Sequence, residues 1–185
     1  GQVRGGNARC RAMLQVFVQV LQDYFPPTKD IKDYRTHFDH FVLKPSFTYW
    51  TTRCRPHSVS MGNAFTFVKT AVASLGRELP LEDAKEILQD TMERYMIERM
   101  DYADKGIEQH AMKKIEDEDV ILTFGKSEAI SVLLTTAKER NTNFYVWVVD
   151  ARPLWEGKEL LETLREADIP CGYIQLNALT YVLHK

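Results

Sequence analysis

The chain has 185 residues, 44% of them hydrophobic and 27% charged, enough for one to one and a half domains and too apolar for wholesale disorder. Its formal net charge of −2 comes without the dominant basic stripe of a nucleic-acid binder, and no apolar run approaches the ~20 residues of a membrane helix. Cys10, Cys54 and Cys171 are odd in number and far apart, which argues against a disulfide framework or a zinc site and fits a reducing cytosol.

The first half reads as helices. Asn7 is the expected N-cap of a helix reaching about Tyr24, with Met13, Leu14, Phe17, Val18, Val20 and Leu21 at helical spacing. Pro26-Pro27 stop it. A second helix is expected over about Ile31–Leu43, ended by Pro45; residues 46–53, aromatic and Thr-rich, fit either turn or helix. Arg55-Pro56-His57-Ser58 reads as a turn into a third helix over about 58–75, whose stripe is Met61, Ala64, Phe65, Val68, Val72 and Leu75. Gly76 terminates it. After Pro80 a long helix is expected from Leu81 to about Glu116, with Gly106 as a weak point.

Beyond residue 119 the pattern changes. Val120–Phe124 and Phe144–Val149 are short β-type runs, Cys171–Leu176 is a third, and a fourth short element is expected at Thr180–Leu183. Helical patterns fill 127–140 and 156–167. Strand–helix–strand–helix–strand with short links means a parallel sheet with right-handed crossovers. The expected fold is therefore α/β: an all-helical domain over 1–118, then the first part of a Rossmann-like α/β domain over 119–185. Three parallel strands cannot cover both of their own faces, so the chain is expected to be the front part of a longer protein.

Charge is unevenly spread. Residues 1–57 hold nine Lys/Arg against four Asp/Glu, whereas 82–119 hold six against thirteen. The asymmetry fits charged protein partners, a pairing of the two segments, or simply a solvated helix face.

Several stretches together resemble one family. They are Gly6-Asn7-Ala8-Arg9-Cys10, Gln22-Asp23-Tyr24 with Pro26-Pro27, Cys54-Arg55-Pro56, Ser58-Val59-Ser60-Met61-Gly62-Asn63-Ala64, Asp119–Thr123, and Val148-Val149-Asp150-Ala151-Arg152-Pro153 with Glu156-Gly157. The chain resembles the alpha/beta/delta regulatory subunits of eukaryotic translation initiation factor 2B, and among them the delta type. That resemblance implies a cytoplasmic, non-catalytic subunit of the guanine-nucleotide exchange factor for initiation factor 2. It implies the alpha, beta, gamma and epsilon subunits as partners, together with initiation factor 2 and especially its phosphorylated alpha subunit. It implies no cofactor, no direct nucleic acid and no membrane. Exchange itself falls to epsilon.

The same resemblance extends to sugar-phosphate aldose–ketose isomerases, which is the alternative reading. There Arg9 and Arg55 would be phosphate ligands, since guanidinium pairs bidentately with phosphate oxygens; in a regulatory subunit they are candidate vestigial phosphate-binding residues. Those isomerases carry a catalytic cysteine just after the first strand, where this sequence reads Phe124-Gly125-Lys126. Glycine has no side chain for the general acid–base chemistry that isomerisation needs. Shared fold does not transfer activity. The neighbours His57 and Ser58 lack an acid placed to orient the histidine. The histidines lack metal-ligand spacing, and no G-x-G-x-x-G fingerprint is present.

From the resemblance, the partner-sensing surface is expected on the long helix, at Glu98 and Tyr102 with Arg99 and Asp101. Glu98 and Tyr102 are four apart and hence share a helix face. Tyr95–Met100 mixes charges with large apolar residues as interfaces do, although a Met/Tyr stripe is more often helix core. Asp150, Arg152 and Glu156 follow the second strand at the sheet's C-terminal edge, where doubly wound folds put ligands; in a regulatory subunit they are expected to form a structural or subunit-contact network.

Overall fold

A computed structural model describes residues 3–27 and 33–183. It comprises two compact units, residues 1–102 and 103–185, each described in turn.

In the first unit α1 (Gly6–Gln22) buries Cys10, Met13, Leu14, Phe17 and Leu21. Its N-cap is Gly5, at φ 84°, rather than Asn7, and no side chain caps it. A backbone in the left-handed region costs glycine nothing and asparagine more, so the helix starts one residue before Asn7. The C-cap is Asp23.

The next helical run departs most from expectation. Its expected start at Ile31 lies outside the described residues. Asp33 caps α2 (Tyr34–Phe38) by accepting from the Thr36 N–H, and the chain then continues through Pro45 instead of stopping there. A π turn at Asp39–Leu43 is closed by Lys44 N–H donating to the Asp39 carbonyl. It is followed by α3 (Lys44–Tyr49), with Pro45 in its first turn, and by a second π turn at Trp50–Cys54. Proline breaks a helix because it lacks an N–H and crowds the preceding turn. The wider π turn just before it changes which carbonyls need a donor, so Pro45 sits at a restart. Residues 46–53, ambiguous from sequence, are therefore helical.

Ser58 Oγ caps α4 (Val59–Ser74) by accepting from Met61 N–H, and the helix buries Met61, Ala64, Val68 and Val72. α5 (Leu81–Met96) buries Ala84, Lys85, Leu88 and Met92, and a third π turn, Ile97–Asp101, carries it into α6 (Tyr102–Met112). The interruption thus falls at 97–101 and not at Gly106, and the helix ends before Glu116. The core gathers these stripes, with Phe17 and Leu14 fully buried. Phe17 meets Trp50 at 5.0 Å and Phe65 at 6.2 Å, and Phe65 stacks on Phe47 at 3.9 Å. Each such buried ring or Leu contributes about 1.5–3 kcal/mol. Lys85 is buried too; its ammonium caps α1 by donating to the Gln22 carbonyl at 3.1 Å and lies 4.1 Å from the Phe25 ring.

The second unit is regular. β1 (Asp119–Phe124), β2 (Phe144–Asp150) and β3 (Cys171–Gln175) form a parallel sheet in the order β1-β2-β3, with Val120 opposite Tyr145 and Val146 opposite Cys171. α7 (Glu128–Glu139) and α8 (Gly157–Glu166) link the strands. Right-handed crossovers that run the same way across a sheet put both helices on one face. That face, through Phe144, Val146 and Val148, closes a core with Leu134, Ala137, Leu160 and Leu164. Val120, Leu122 and Phe124 project from the other face and are 66%, 40% and 62% exposed. The expected fourth element at Thr180–Leu183 is a 3₁₀ helix at Leu176–Tyr181.

Candidate functional site

Three groups of residues carry the chemistry singled out in the sequence. The first lies on the third π turn. Glu98 and Arg99 are exposed there, Tyr102 just after it is 59% exposed, and Met100 between them is buried. Asp101 is partly buried and pairs with the Arg11 guanidinium of α1. Tyr95, one turn earlier, packs against the core and meets Phe67 at 4.7 Å. Burial pushes its phenol pKa up, keeping it neutral. The patch therefore offers one acidic, one basic and one phenolic side chain, backed by a rigid core. Arg11 was not singled out in the sequence; the basic head beside an acidic segment is the signal that pointed to it.

The second group joins the start of α1 to the start of α4. Arg9 Nη2 donates to the Pro56 carbonyl at 2.6 Å and to that of Arg55 at 3.4 Å. Ser58 Oγ donates to the Gly6 carbonyl at 3.3 Å and lies 3.0 Å from Ser60 Oγ. Partial burial and the neighbouring Arg55 charge lower the Arg9 pKa. Arg9 and Arg55 are thus neighbours, and Arg9 donates to backbone oxygens. They fix the turn that precedes α4.

The third group stands at the C-terminal edge of the sheet. Asp150 is 3% exposed. Its Oδ1 accepts from Ala151 N–H at 2.9 Å, and its Oδ2 accepts from the Tyr173 hydroxyl at 2.8 Å. A side chain at Gly157 would place its Cβ 2.9 Å from the Asp150 carboxyl, so only glycine lets α8 begin this close. Arg152 instead sits beside the Trp155 ring at 5.8 Å, with Lys158 at 5.5 Å from the same ring. Glu156 is the N-cap of α8 and makes no side-chain cap bond. The three residues share an edge, but the hydrogen-bonded partner of Asp150 is Tyr173, which strand alternation from Cys171 could have flagged.

Gly125, expected from the resemblance at the isomerases' cysteine position, follows β1 in the left-handed region at φ 63° and donates to the Val149 carbonyl at 2.8 Å. Cys171, the first residue of β3, lies at the opposite edge of the sheet, and Cys10 is buried with Sγ 3.4 Å from the Ser60 carbonyl. No helix among the described residues is long and apolar enough to cross a membrane.

Residues 2–185 match the model of the initiation factor 2 subunit family. The chain belongs to that family. It is 35% identical over its whole length to the translation initiation factor eIF2B subunit delta of Schizosaccharomyces pombe, and spans 38% of that relative's length. Among solved structures, it superposes on a chain of the tetrameric eIF2B-beta2-delta2 complex from C. thermophilum with a TM-score of 0.85 at 33% identity, covering 92% of this chain and 54% of that one. A ribose 1,5-bisphosphate isomerase from Thermococcus kodakarensis is 32% identical over only 65% of the chain, which spans 37% of the isomerase. The chain is thus similar in sequence and in its helical-then-α/β order to delta-type subunits, and spans only part of their length.

Proposed function

We propose that this chain acts within a delta-type regulatory subunit of the guanine-nucleotide exchange factor for initiation factor 2. On this reading it works in the cytoplasm, assembles with alpha, beta, gamma and epsilon subunits, and helps sense the phosphorylated alpha subunit of its substrate factor. The observation that carries the reading is the breadth of the match. Delta similarity runs from end to end of the chain, whereas isomerase similarity covers two-thirds of it.

The sensing surface is assigned to Glu98, Arg99 and Tyr102, with Asp101 at its edge. Glu98 reads a basic face of the partner, because a carboxylate repels a phosphate. The phosphate acts through conformation instead. Arg9 and Arg55 keep the place of phosphate ligands but serve a turn. Asp150 with Tyr173 serves to position the loop that carries Arg152 and Glu156, the proposed subunit-contact edge. Catalysis is not assigned, because Gly125 offers no proton-transfer group where an isomerase needs one.

Native mass spectrometry of the protein purified from its own cytosol tests the assembly. A hetero-assembly with four other subunit types and initiation factor 2 is expected. A homo-oligomer without translation partners overturns the reading in favour of the isomerase, for which turnover of a sugar phosphate and its loss on Arg9→Ala or Arg55→Ala would follow. Within the assembly, Glu98→Lys is expected to relieve inhibition by the phosphorylated factor; unchanged inhibition removes Glu98 from the surface.

A further inference from the structure

The third π turn has a reason that lies in the phase of the helix. Leu88 and Met92 are buried on α5, and Met100 is buried after the turn at 5% exposure. An uninterrupted α-helix advances about 100° per residue, so Arg99 would stand within about 20° of Met92, and Met100 about 80° away. The observed order is the reverse: Arg99 is exposed and Met100 is in the core. One extra residue in the turn, marked by Tyr102 N–H donating to the Ile97 carbonyl, makes that correction.

A π turn has poorer hydrogen-bond geometry than the α-helix around it and persists where tertiary contacts hold it. Two contacts are available. Met100 fills the core below, and Asp101, the last residue of the turn, takes the guanidinium of Arg11 from α1. The two charged side chains are 37% and 40% exposed. Their charges are opposite in sign, and they tie α1 to the turn across ninety residues of sequence.

We propose that Arg11, acting through Asp101, is a positioning residue for the partner surface. It holds the π turn in place and so keeps Arg99 out of the core and Glu98 and Tyr102 turned outward together. Without it the segment relaxes toward an uninterrupted α-helix, in which Arg99 and Met100 compete for one core position and Tyr102 swings by about 100° relative to α5. The functional half of this proposal rests on the surface assigned above; the structural half does not.

The test uses the full-length subunit in its assembled complex. The variants are Arg11→Ala, Asp101→Ala, Arg11→Lys, the exchange of Arg11→Asp with Asp101→Arg, and Glu98→Lys. Amide hydrogen exchange over 97–105 is followed without the substrate factor. The affinity ratio between phosphorylated and unphosphorylated factor is measured separately. Each alanine variant is expected to speed exchange at Tyr102 at least tenfold and to lower the ratio at least fivefold. Arg11→Lys and the charge exchange are expected to restore both to within about threefold. General destabilisation would weaken both affinities alike and would not be rescued by the exchange. Unaltered hydrogen exchange in the alanine variants overturns the proposal, as does failure of both rescuing variants. If Glu98→Lys leaves the ratio unchanged, the surface assignment fails, and hydrogen exchange still decides whether Arg11 holds the turn.

Discussion

The two units solve the problem of burial in opposite ways. The helical unit closes its core with its own side chains, at the expense of regularity: the π turns at Asp39–Leu43 and Ile97–Asp101 adjust helix phase so that Leu43 and Met100 fall inside. The α/β unit keeps near-ideal strands and crossovers, yet covers only one face of its sheet. A helix can correct its phase by admitting a residue. A parallel sheet has no such recourse, because each face needs a separate layer. Irregularity in the first unit goes with a filled core, and regularity in the second goes with an apolar sheet face left open.

That contrast can be broken most sharply by deleting large side chains from each unit. Phe17→Ala removes a ring with no exposure that touches Trp50 and Phe65. It is expected to cost about 3–5 kcal/mol, read from the urea midpoint. Phe124→Ser, on the open sheet face, is expected to change the stability of the 185-residue chain by less than about 1 kcal/mol and to raise its solubility. A loss comparable to that of Phe17→Ala would mean that the face is already covered.

A smaller effect is expected at the sheet edge. Asp150→Ala strands the Tyr173 hydroxyl and removes the acceptor from Ala151 N–H. A loss of about 1–3 kcal/mol is expected, with Tyr173→Phe costing less. Spectrophotometric titration sharpens this further. Burial and the Asp150 carboxylate push the Tyr173 phenol up to about 12, against about 10 in an unfolded chain. The folded state holds that proton more tightly. Its contribution to stability is therefore complete below about pH 10 and disappears as pH rises toward about 12. Tyr173→Phe should flatten stability across that window.

In the helical unit the pH dependence has the opposite sign. Asp33 caps α2 and pairs with Arg35, and these bonds hold its carboxyl pKa at about 2. This contribution is present above about pH 4 and is lost as pH falls toward about 2. Asp33→Ala should cost about 1 kcal/mol at neutral pH and much less at pH 2, seen as converging denaturation midpoints.

Legibility from sequence followed the same division. Strand and helix limits after residue 119 fell within a residue or two of the observed ones, because alternation and short links leave little choice. The final 3₁₀ helix is the exception: a short apolar run reads alike in either form. In the helical unit the stripes of α1 and α4 are readable, whereas Pro45 reads as a stop and is not one. Its π turn depends on Leu43 reaching the core, a tertiary fact. The same holds at 97–101, where the spacing of Met92, Met96 and Met100 by four, slightly longer than a helical turn, was the available sign. At the candidate sites, Glu98, Tyr102 and their neighbours come from the resemblance, and Arg9 and Arg55 from the phosphate chemistry of guanidinium. Trp155 lies three residues from Arg152 in the same loop, whereas Arg11 and Tyr173 come from a distant helix and strand, where charge asymmetry and strand alternation narrow the choice without naming the contact.

Lys85 has a practical consequence. Its amine is enclosed between the end of α1, Glu82 and the Phe25 ring, out of reach of acylating reagents while the helices stay together. Exposed lysines such as Lys113 and Lys158 would react at once. The rate at which Lys85 acquires label would therefore clock the separation of α1 from α5, giving this unit a built-in chemical timer for its opening.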